Sequence, residues 1–192
     1  RTIERGGSAM LVAGCHAIDV LRWFAAPGEF EAADPVEIFA YEGGMRGQST
    51  AQYDPTTNSW HEGEPLEYPG VEMILVRFSN GVLGKVSVNM ECIHPYTFPV
   101  EVFGDRGSIK DNRLWSHKHP EQTDWIELPD IRPDSSSVEH HPFQAQMDHF
   151  VDCIRNDVES HCNLADAAKT HEVVFAAQRC YRTKAPVKLP LS

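Results

Sequence analysis

The sequence predicts an α+β fold with a large open, mainly antiparallel sheet and helices on one face. Three observations support this class: an amphipathic segment near the amino terminus, a run of short strands, and two helical segments in the last third. Grouped strands and helices are typical of α+β folds, whereas alternating ones would indicate a parallel α/β sheet. Because 192 residues without an internal repeat suit one core, we expect a single domain over 1–192.

The first helix is predicted from Gly14 to Ala25. Ile18, Leu21 and Ala25 form an apolar stripe at helical spacing, and the Pro27-Gly28 pair then ends the pattern. A strand follows at Val36–Glu42, where apolar and polar residues alternate in part.

From Gly43 to Gly70 the composition changes to Gly, Ser, Thr, Asn, Pro and charged residues. This composition predicts a long loop or insertion at about 43–70. Loops of this length inside compact domains are often functional or mobile.

The clearest hairpin joins Val71–Ser79 to Val82–Glu91 through Asn80-Gly81. This dipeptide favours a two-residue turn in which both positions have positive φ. The second strand carries mostly apolar residues on one side and polar residues on the other, which predicts a sheet with one buried face.

More short strands are predicted downstream, at Phe98–Phe103, Gly107–Lys110, Arg113–His117 and Asp124–Leu128. Apolar residues recur at helical spacing from Phe143 to Ile154. A last helix should begin after Asn163, a favourable N-cap, and reach about Arg182. The residues Val187–Leu191 form a short terminal strand or tail.

Composition excludes several function classes. The net charge of −11 and the lack of a basic stripe argue against nucleic-acid binding. Five scattered cysteines without a C-x-x-C pair favour reduced thiols in a cytoplasmic protein. No apolar run approaches the roughly 18 residues of a membrane span, so no membrane association is expected.

The sequence contains no dinucleotide-binding, P-loop or nucleophile-elbow pattern. We therefore predict no cofactor-binding residues in this chain, and no histidine cluster has the spacing of a metal site. The amino terminus lacks an initiator methionine and a signal-peptide core, which is typical of a fragment of a longer chain.

His16 and Asp19 are the leading candidates for catalysis. Residues three apart share a helix face, so the imidazole and the carboxylate can point into one site. Imidazole titrates near neutral pH, and a carboxylate can orient it for proton transfer. The alternative is a histidine in a first helical turn with a solvated aspartate, and spacing alone does not separate the two.

A second polar group lies after the best strand, where Glu91, His94 and Tyr96 fall within six residues. These side chains could line a cleft for a polyhydroxylated ligand, or they could be exposed groups of a strand-end turn. Arg22 could reach the same cleft, or it could be an exposed cation beside a core aromatic, Trp23.

The segment Gly6–Trp23 resembles the start of the C-terminal domain in the Gfo/Idh/MocA family of nicotinamide-dependent oxidoreductases. The family pattern there is a glycine-rich lead followed by Asp-x-Gly-x-His-x-x-Asp. Weaker matches follow in the same order at Phe78–Gly84, Val102–Ile109 and Ala185–Pro190. The resemblance covers nearly the whole chain.

The resemblance implies a substrate-binding and oligomerisation domain that packs against an N-terminal Rossmann domain absent from this chain. NAD or NADP would be bound mainly by that missing domain, and the substrate would be a sugar- or cyclitol-like alcohol held between the two. One face of the sheet would serve homo-oligomer formation. The fragment alone is accordingly expected to be inactive.

Carried over by position, His16 would transfer the hydroxyl proton and Asp19 would contact the substrate or orient His16. The further candidates for substrate binding are Arg22, Glu91, His94 and Tyr96. The first aspartate of the family pattern falls on Val12, which leaves a second hypothesis open. In that hypothesis the domain is a non-catalytic binding or oligomerisation module with a degenerate active site.

Overall fold

The computed structural model describes residues 2–26, 28, 32–44, 51–54, 56–92, 97–128 and 143–192. The chain divides into two compact units, Arg1–Ile93 with Glu159–Ser192, and His94–Val158. The helices are α1 (Ile3–Gly6), α2 (Cys15–Ala25), α3 (Phe143–Asn156) and α4 (Leu164–Thr183), and a π-helical segment at Met10–Gly14 directly precedes α2. The strands are β1 (Pro35–Gly43), β2 (Ala51–Asp54), β3 (Ser59–Glu62), β4 (Val71–Phe78), β5 (Leu83–Asn89), β6 (Glu101–Gly104), β7 (Gly107–Lys110), β8 (Arg113–Ser116), β9 (Ile126–Glu127) and β10 (Val187–Lys188).

The predicted α+β class is confirmed, because all strand pairings among the described residues are antiparallel. The described strands form two four-stranded sheets, β10-β1-β4-β5 and β6-β7-β8-β9, and a separate β2-β3 hairpin. The described strands are therefore divided among two sheets and a hairpin and are not joined in one large sheet. Residue alternation identifies a strand, but it does not specify which neighbour that strand chooses.

The core of the first unit lies between the β10-β1-β4-β5 sheet and two helices. Helix α4 packs on β1, and α2 packs on β5 and α4. Alternate residues of the strands face these helices, since side chains on a strand alternate between its two faces. The buried apolar set includes Ile18, Ile38, Ile74, Phe78, Val86, Val173, Val174 and Ala177.

The turn between β4 and β5 differs from the expected two-residue type. Phe78 N donates to Val82 O at 3.0 Å and Gly81 N donates to Phe78 O at 3.0 Å, which leaves three residues in the loop. Among the three residues of this loop, only Gly81 has a positive φ, at 87°. The Asn80 side chain instead donates to the Ala25 carbonyl at 2.7 Å and so caps the end of α2. This tertiary contact explains why asparagine occupies the turn without adopting the left-handed conformation.

The predicted loop or insertion at about 43–70 contains the β2-β3 hairpin. Every residue of β3 is exposed. A strand without a buried face shows no apolar alternation, so the sequence carried no signal for it. Farther along this segment, Leu66 and Tyr68 form a small buried cluster with Ala9.

The other predicted elements are found with small shifts of their ends. Helix α4 begins after Asn163, whose side-chain oxygen accepts from Asp166 N at 2.9 Å. Strand β7 has the predicted bounds, whereas β9 is shorter than the predicted Asp124–Leu128. The described structure leaves most of the apolar stripe of α3 exposed, with Cys153 its buried residue.

The segment Ile3–Ala25 is long and apolar enough to cross a membrane, which corrects the expectation that no such segment exists. Charged residues interrupt this segment, so it does not form one continuous apolar run in the sequence. Met10, Ile18 and Ala25 of this segment belong to the protein core. Core helices of globular proteins pass the same test, so the segment is weak evidence for a membrane.

Candidate active site

His16 lies in the first turn of α2, directly after the π-helical segment, and its side chain is exposed. Short π-helical insertions occur frequently at functional sites. The segment lies close to β5, because a Cβ built on Gly14 would come within 2.7 Å of Val88 Cγ2. Glycine at this position therefore allows the helix that carries His16 to approach the sheet.

Buried Glu72 on β4 holds the start of the π-helical segment. Its side chain is 1% exposed, and Oε1 accepts from Met10 N at 2.9 Å. The other oxygen accepts from the Tyr181 hydroxyl at 2.6 Å. Burial raises the pKa of Tyr181, and the hydrogen bond to Glu72 raises it further. The carboxylate thus ties the site helix to both the sheet and α4.

Asp19 is fixed by the neighbouring helix α4. Its Oδ1 accepts from Thr170 Oγ1 at 2.8 Å and lies 3.6 Å from Arg22 Nη1. The carboxylate remains about one-third exposed at 34%. His16 and Asp19 occupy successive turns on the same side of α2, as their spacing predicts.

Arg22 is not an exposed cation, and that alternative is wrong. Its side chain is 1% exposed, Nη1 donates to the Asp166 carbonyl at 3.0 Å, and Nη2 donates to Asp166 Oδ1 at 2.6 Å. Nη1 also donates to Thr170 Oγ1 at 2.7 Å. These bonds join α2 to α4 and give Arg22 a role inside the protein, while substrate contact by Arg22 stays a prediction.

Three further side chains lie near this end of α2. Burial raises the pKa of the Cys162 thiol, and the nearby carboxylates of Asp19 and Asp166 raise it further. Trp23 meets His161 edge-on with ring centroids 5.2 Å apart. The loop before α4 therefore packs around the same end of α2.

The second candidate group is only partly described. Glu91 lies just after β5, and its Oε1 accepts from Gly70 N at 3.1 Å. The Glu91 backbone N donates to Asn89 Oδ1 at 2.9 Å, a local bond typical of a turn. His94 and Tyr96 lie outside the described residues. Their grouping with Glu91 stays a prediction.

Sequence reasoning missed Glu72, Asp166 and Thr170. Asp166 and Thr170 lie four apart on α4, and Asp19 and Arg22 lie three apart on α2, so each pair shares a helix face. That spacing was readable from the sequence. The packing of the two faces against each other was not, because it depends on how both helices rest on the sheet.

Chemically, the arrangement offers an exposed imidazole one helical turn from an oriented carboxylate, which suits proton transfer to or from a hydroxyl. At the position of the family's first aspartate, Val12 presents an exposed apolar side chain. The part of the chain that the structure describes has no group of three His, Cys, Asp or Glu side chains able to hold a metal. It also lacks a parallel strand pair of the kind on which a Rossmann cofactor site is built.

Residues 3–189 match the family described as "Oxidoreductase family, C-terminal alpha/beta domain". The NAD(+)-dependent scyllo-inositol 2-dehydrogenase of Bacillus subtilis (strain 168) is 26% identical over 178 residues, which cover 83% of this chain and 52% of the relative. The chain thus spans about half the length of this relative.

Solved structures show the same fold at low identity. A myo-inositol dehydrogenase from Corynebacterium glutamicum is 16% identical with a TM-score of 0.66, covering 99% of this chain and 52% of its own. The WlbA dehydrogenase from Bordetella pertussis, solved with NADH and UDP-GlcNAcA, is 17% identical with a TM-score of 0.63, covering 100% and 48%. These structures show the fold, and the match over residues 3–189 leads to one conclusion: the chain belongs to the Gfo/Idh/MocA family of oxidoreductases, as its C-terminal α/β domain.

Proposed function

We propose that this chain is the substrate domain of a dehydrogenase that transfers hydride between NAD or NADP and a sugar- or cyclitol-like alcohol. The observation that carries the proposal is the exposed His16 one turn before Asp19, with Asp19 held by Thr170. The inositol dehydrogenases among the relatives support a polyol as the substrate class. The protein is proposed to be cytoplasmic, in keeping with its five free thiols.

In the proposed reaction His16 accepts the proton of the reacting hydroxyl while the adjacent C–H carbon loses a hydride. The nicotinamide, bound mainly by a separate N-terminal domain, supplies the hydride acceptor. Asp19 orients the imidazole or accepts a hydrogen bond from a second substrate hydroxyl. Val12 carries no charge, so Asp19 is the carboxylate that this segment offers to the site. Glu91, His94 and Tyr96 are proposed to contact the remaining hydroxyls.

A turnover assay of the full-length protein tests this proposal. We expect a panel of inositols and sugars to reduce NAD or NADP, followed by nicotinamide absorbance, with at least one cyclitol or sugar active. Residues 1–192 alone should give no turnover, because hydride transfer requires the bound cofactor. A folded full-length protein that binds a dinucleotide but oxidises no member of the panel would contradict the proposal.

Val12 favours a second candidate function, that of a non-catalytic binding or oligomerisation module. An apolar side chain at this position removes one polar partner from the site. Thermal shift of the full-length protein separates the two functions. Stabilisation by a dinucleotide together with a polyol supports the enzyme, whereas an oligomer that responds to neither supports the module.

We also propose that the outer face of the β10-β1-β4-β5 sheet forms a homo-oligomer interface. On the side opposite the helices, Tyr41 lies across from Met73, and Leu75 lies on the same face. Tyr41 is 63% exposed and Leu75 is 57% exposed, and neighbouring Leu83 is exposed as well. Contiguous exposed apolar side chains of this kind mark protein–protein contacts.

Leu75→Asp in the full-length protein is expected to shift the oligomer toward the monomer, because it places a charge at the centre of this apolar face. Light scattering after size-exclusion chromatography over a concentration series measures the shift. The matched control is Leu164→Asp, which changes an exposed leucine at the start of α4 and should leave the mass unchanged. An unaltered oligomer for Leu75→Asp would place the interface elsewhere.

A further inference from the structure

Four side chains form a continuous polar chain between α4 and α2. Asp166 accepts from Arg22 Nη2 at 2.6 Å, and Arg22 Nη1 donates to Thr170 Oγ1 at 2.7 Å. Thr170 Oγ1 in turn donates to Asp19 Oδ1 at 2.8 Å. This hydrogen-bonded chain therefore runs from Asp166 on α4 to Arg22 on α2 and back to Thr170 on α4. It ends on α2 at the Asp19 carboxylate of the candidate active site.

The direction of each hydrogen bond in this chain is determined by chemistry. A guanidinium has donors only, so the Thr170 oxygen must accept from Arg22. The hydroxyl has a single hydrogen, and an ionised carboxylate only accepts, so that hydrogen points to Asp19. Arg22 thereby sets the orientation of the Thr170 hydroxyl, and the hydroxyl sets the orientation of Asp19.

Burial keeps this chain of hydrogen-bonded side chains in place. Arg22 is almost fully inaccessible to solvent and Thr170 is also buried, whereas Asp19 is partly exposed. Releasing the guanidinium would leave a buried charge without partners, which is strongly unfavourable. Several hydrogen bonds consequently hold the buried end of this hydrogen-bonded chain, and its exposed end presents the Asp19 carboxylate one helical turn from His16.

Direct contact with Arg22 does not account for the orientation of Asp19. Arg22 Nη1 lies 3.6 Å from Asp19 Oδ1, which is longer than a hydrogen bond, whereas Thr170 Oγ1 lies at 2.8 Å. The hydroxyl is therefore the closer and better-directed partner of this carboxylate.

We propose that Thr170 is a positioning residue of the active site. Its hydroxyl, which Arg22 orients, holds the Asp19 carboxylate in one orientation. The inference rests on the proposed function, in which Asp19 orients His16 or binds the substrate. A carboxylate held before the substrate arrives favours the reactive geometry, because less orientational freedom is lost on the way to the transition state. Without the hydroxyl, the Asp19 side chain can rotate toward solvent.

Thr170→Val in the full-length protein removes the hydroxyl and keeps the side-chain shape. We expect kcat/KM for the polyol to fall by about 10- to 100-fold, as is usual for a misplaced catalytic group. The KM of the nicotinamide cofactor should not change. Thr170→Ser restores the hydroxyl and should recover most of the activity. In an Asp19→Ala background, where the acceptor of the Thr170 hydroxyl is gone, Thr170→Val should cause little further loss, since its effect passes through Asp19.

Thr183→Val is the matched control, because Thr183 lies on the same helix and donates to the Arg179 carbonyl at 2.9 Å in an exposed position. It should leave kcat/KM unchanged. Wild-type kinetics for Thr170→Val, or additive losses with Asp19→Ala, would overturn the inference. If Thr170→Val failed to fold, Thr170→Ala leaves room for a water on the guanidinium and serves in its place. Failure of the proposed function is separately visible as unimpaired turnover in His16→Ala.

Discussion

His16→Ala in the full-length protein is expected to lower kcat by about 10²- to 10⁴-fold, the usual contribution of a general acid or base. The imidazole is exposed and lies one helical turn from the Asp19 carboxylate, which Thr170 holds, so its removal takes away proton transfer without disturbing the core. Affinity for the dinucleotide should remain nearly intact. Steady-state kinetics together with a fluorescence titration of the cofactor separates the two effects.

His171→Ala provides the control for this experiment. His171 is likewise exposed, lies on α4, and its Nδ1 contacts the Ala167 carbonyl at 2.9 Å within its own helix. Its loss should leave kcat unchanged. Equal kcat for His16→Ala and the wild type would remove His16 from the mechanism and would favour the non-catalytic module.

Glu72→Ala is expected to lower the free energy of unfolding by about 3 kcal/mol or more, because it leaves two buried donors without acceptors. These donors are Met10 N and the Tyr181 hydroxyl, at 2.9 and 2.6 Å from the carboxylate. Urea denaturation monitored by circular dichroism measures the change. Since Met10 begins the π-helical segment, the variant should also lower turnover by loosening the helix that carries His16.

Glu37→Ala is the matched surface control. Glu37 lies on the neighbouring strand β1 and pairs with exposed Arg77 at 3.6 Å. A surface ion pair contributes about 1 kcal/mol or less, so this variant should be close to the wild type. Tyr181→Phe should recover part of the loss in a double-mutant cycle with Glu72→Ala, because the two residues share one bond. Equal stability of Glu72→Ala and Glu37→Ala would show that the buried carboxylate does not anchor the segment.

Much of the fold could be predicted from local patterns, since the elements concerned satisfy local rules. Strand β7 and the start of α4 follow from turn residues and from the Asn163 cap. The β2-β3 hairpin could not be predicted, because its exposed residues have no buried face to alternate with. Asn80 shows the opposite case, in which a familiar turn residue instead caps α2 through a distant contact.

The candidate site could likewise be predicted in part from local sequence, while the rest depended on the tertiary structure. His16 and Asp19 were found from helical spacing and from the family resemblance, both of which are contained in one short segment. Arg22 was identified as a candidate from the same segment, yet its partners are Asp166 and Thr170, more than 140 residues away. Spacing within one helix indicates which side chains share a face, but not which second helix covers that face.

The sequence by itself determined the α+β class and the family, and it indicated His16 and Asp19 as candidates for proton transfer. These depend on periodicity, turn chemistry and one short motif, all of which act over a few residues. The tertiary structure alone decided that Arg22 is buried, that Glu72 holds the π-helical segment, and that Thr170 orients Asp19. Buried polar groups must find partners wherever packing places them, and packing joins segments that are far apart in the chain.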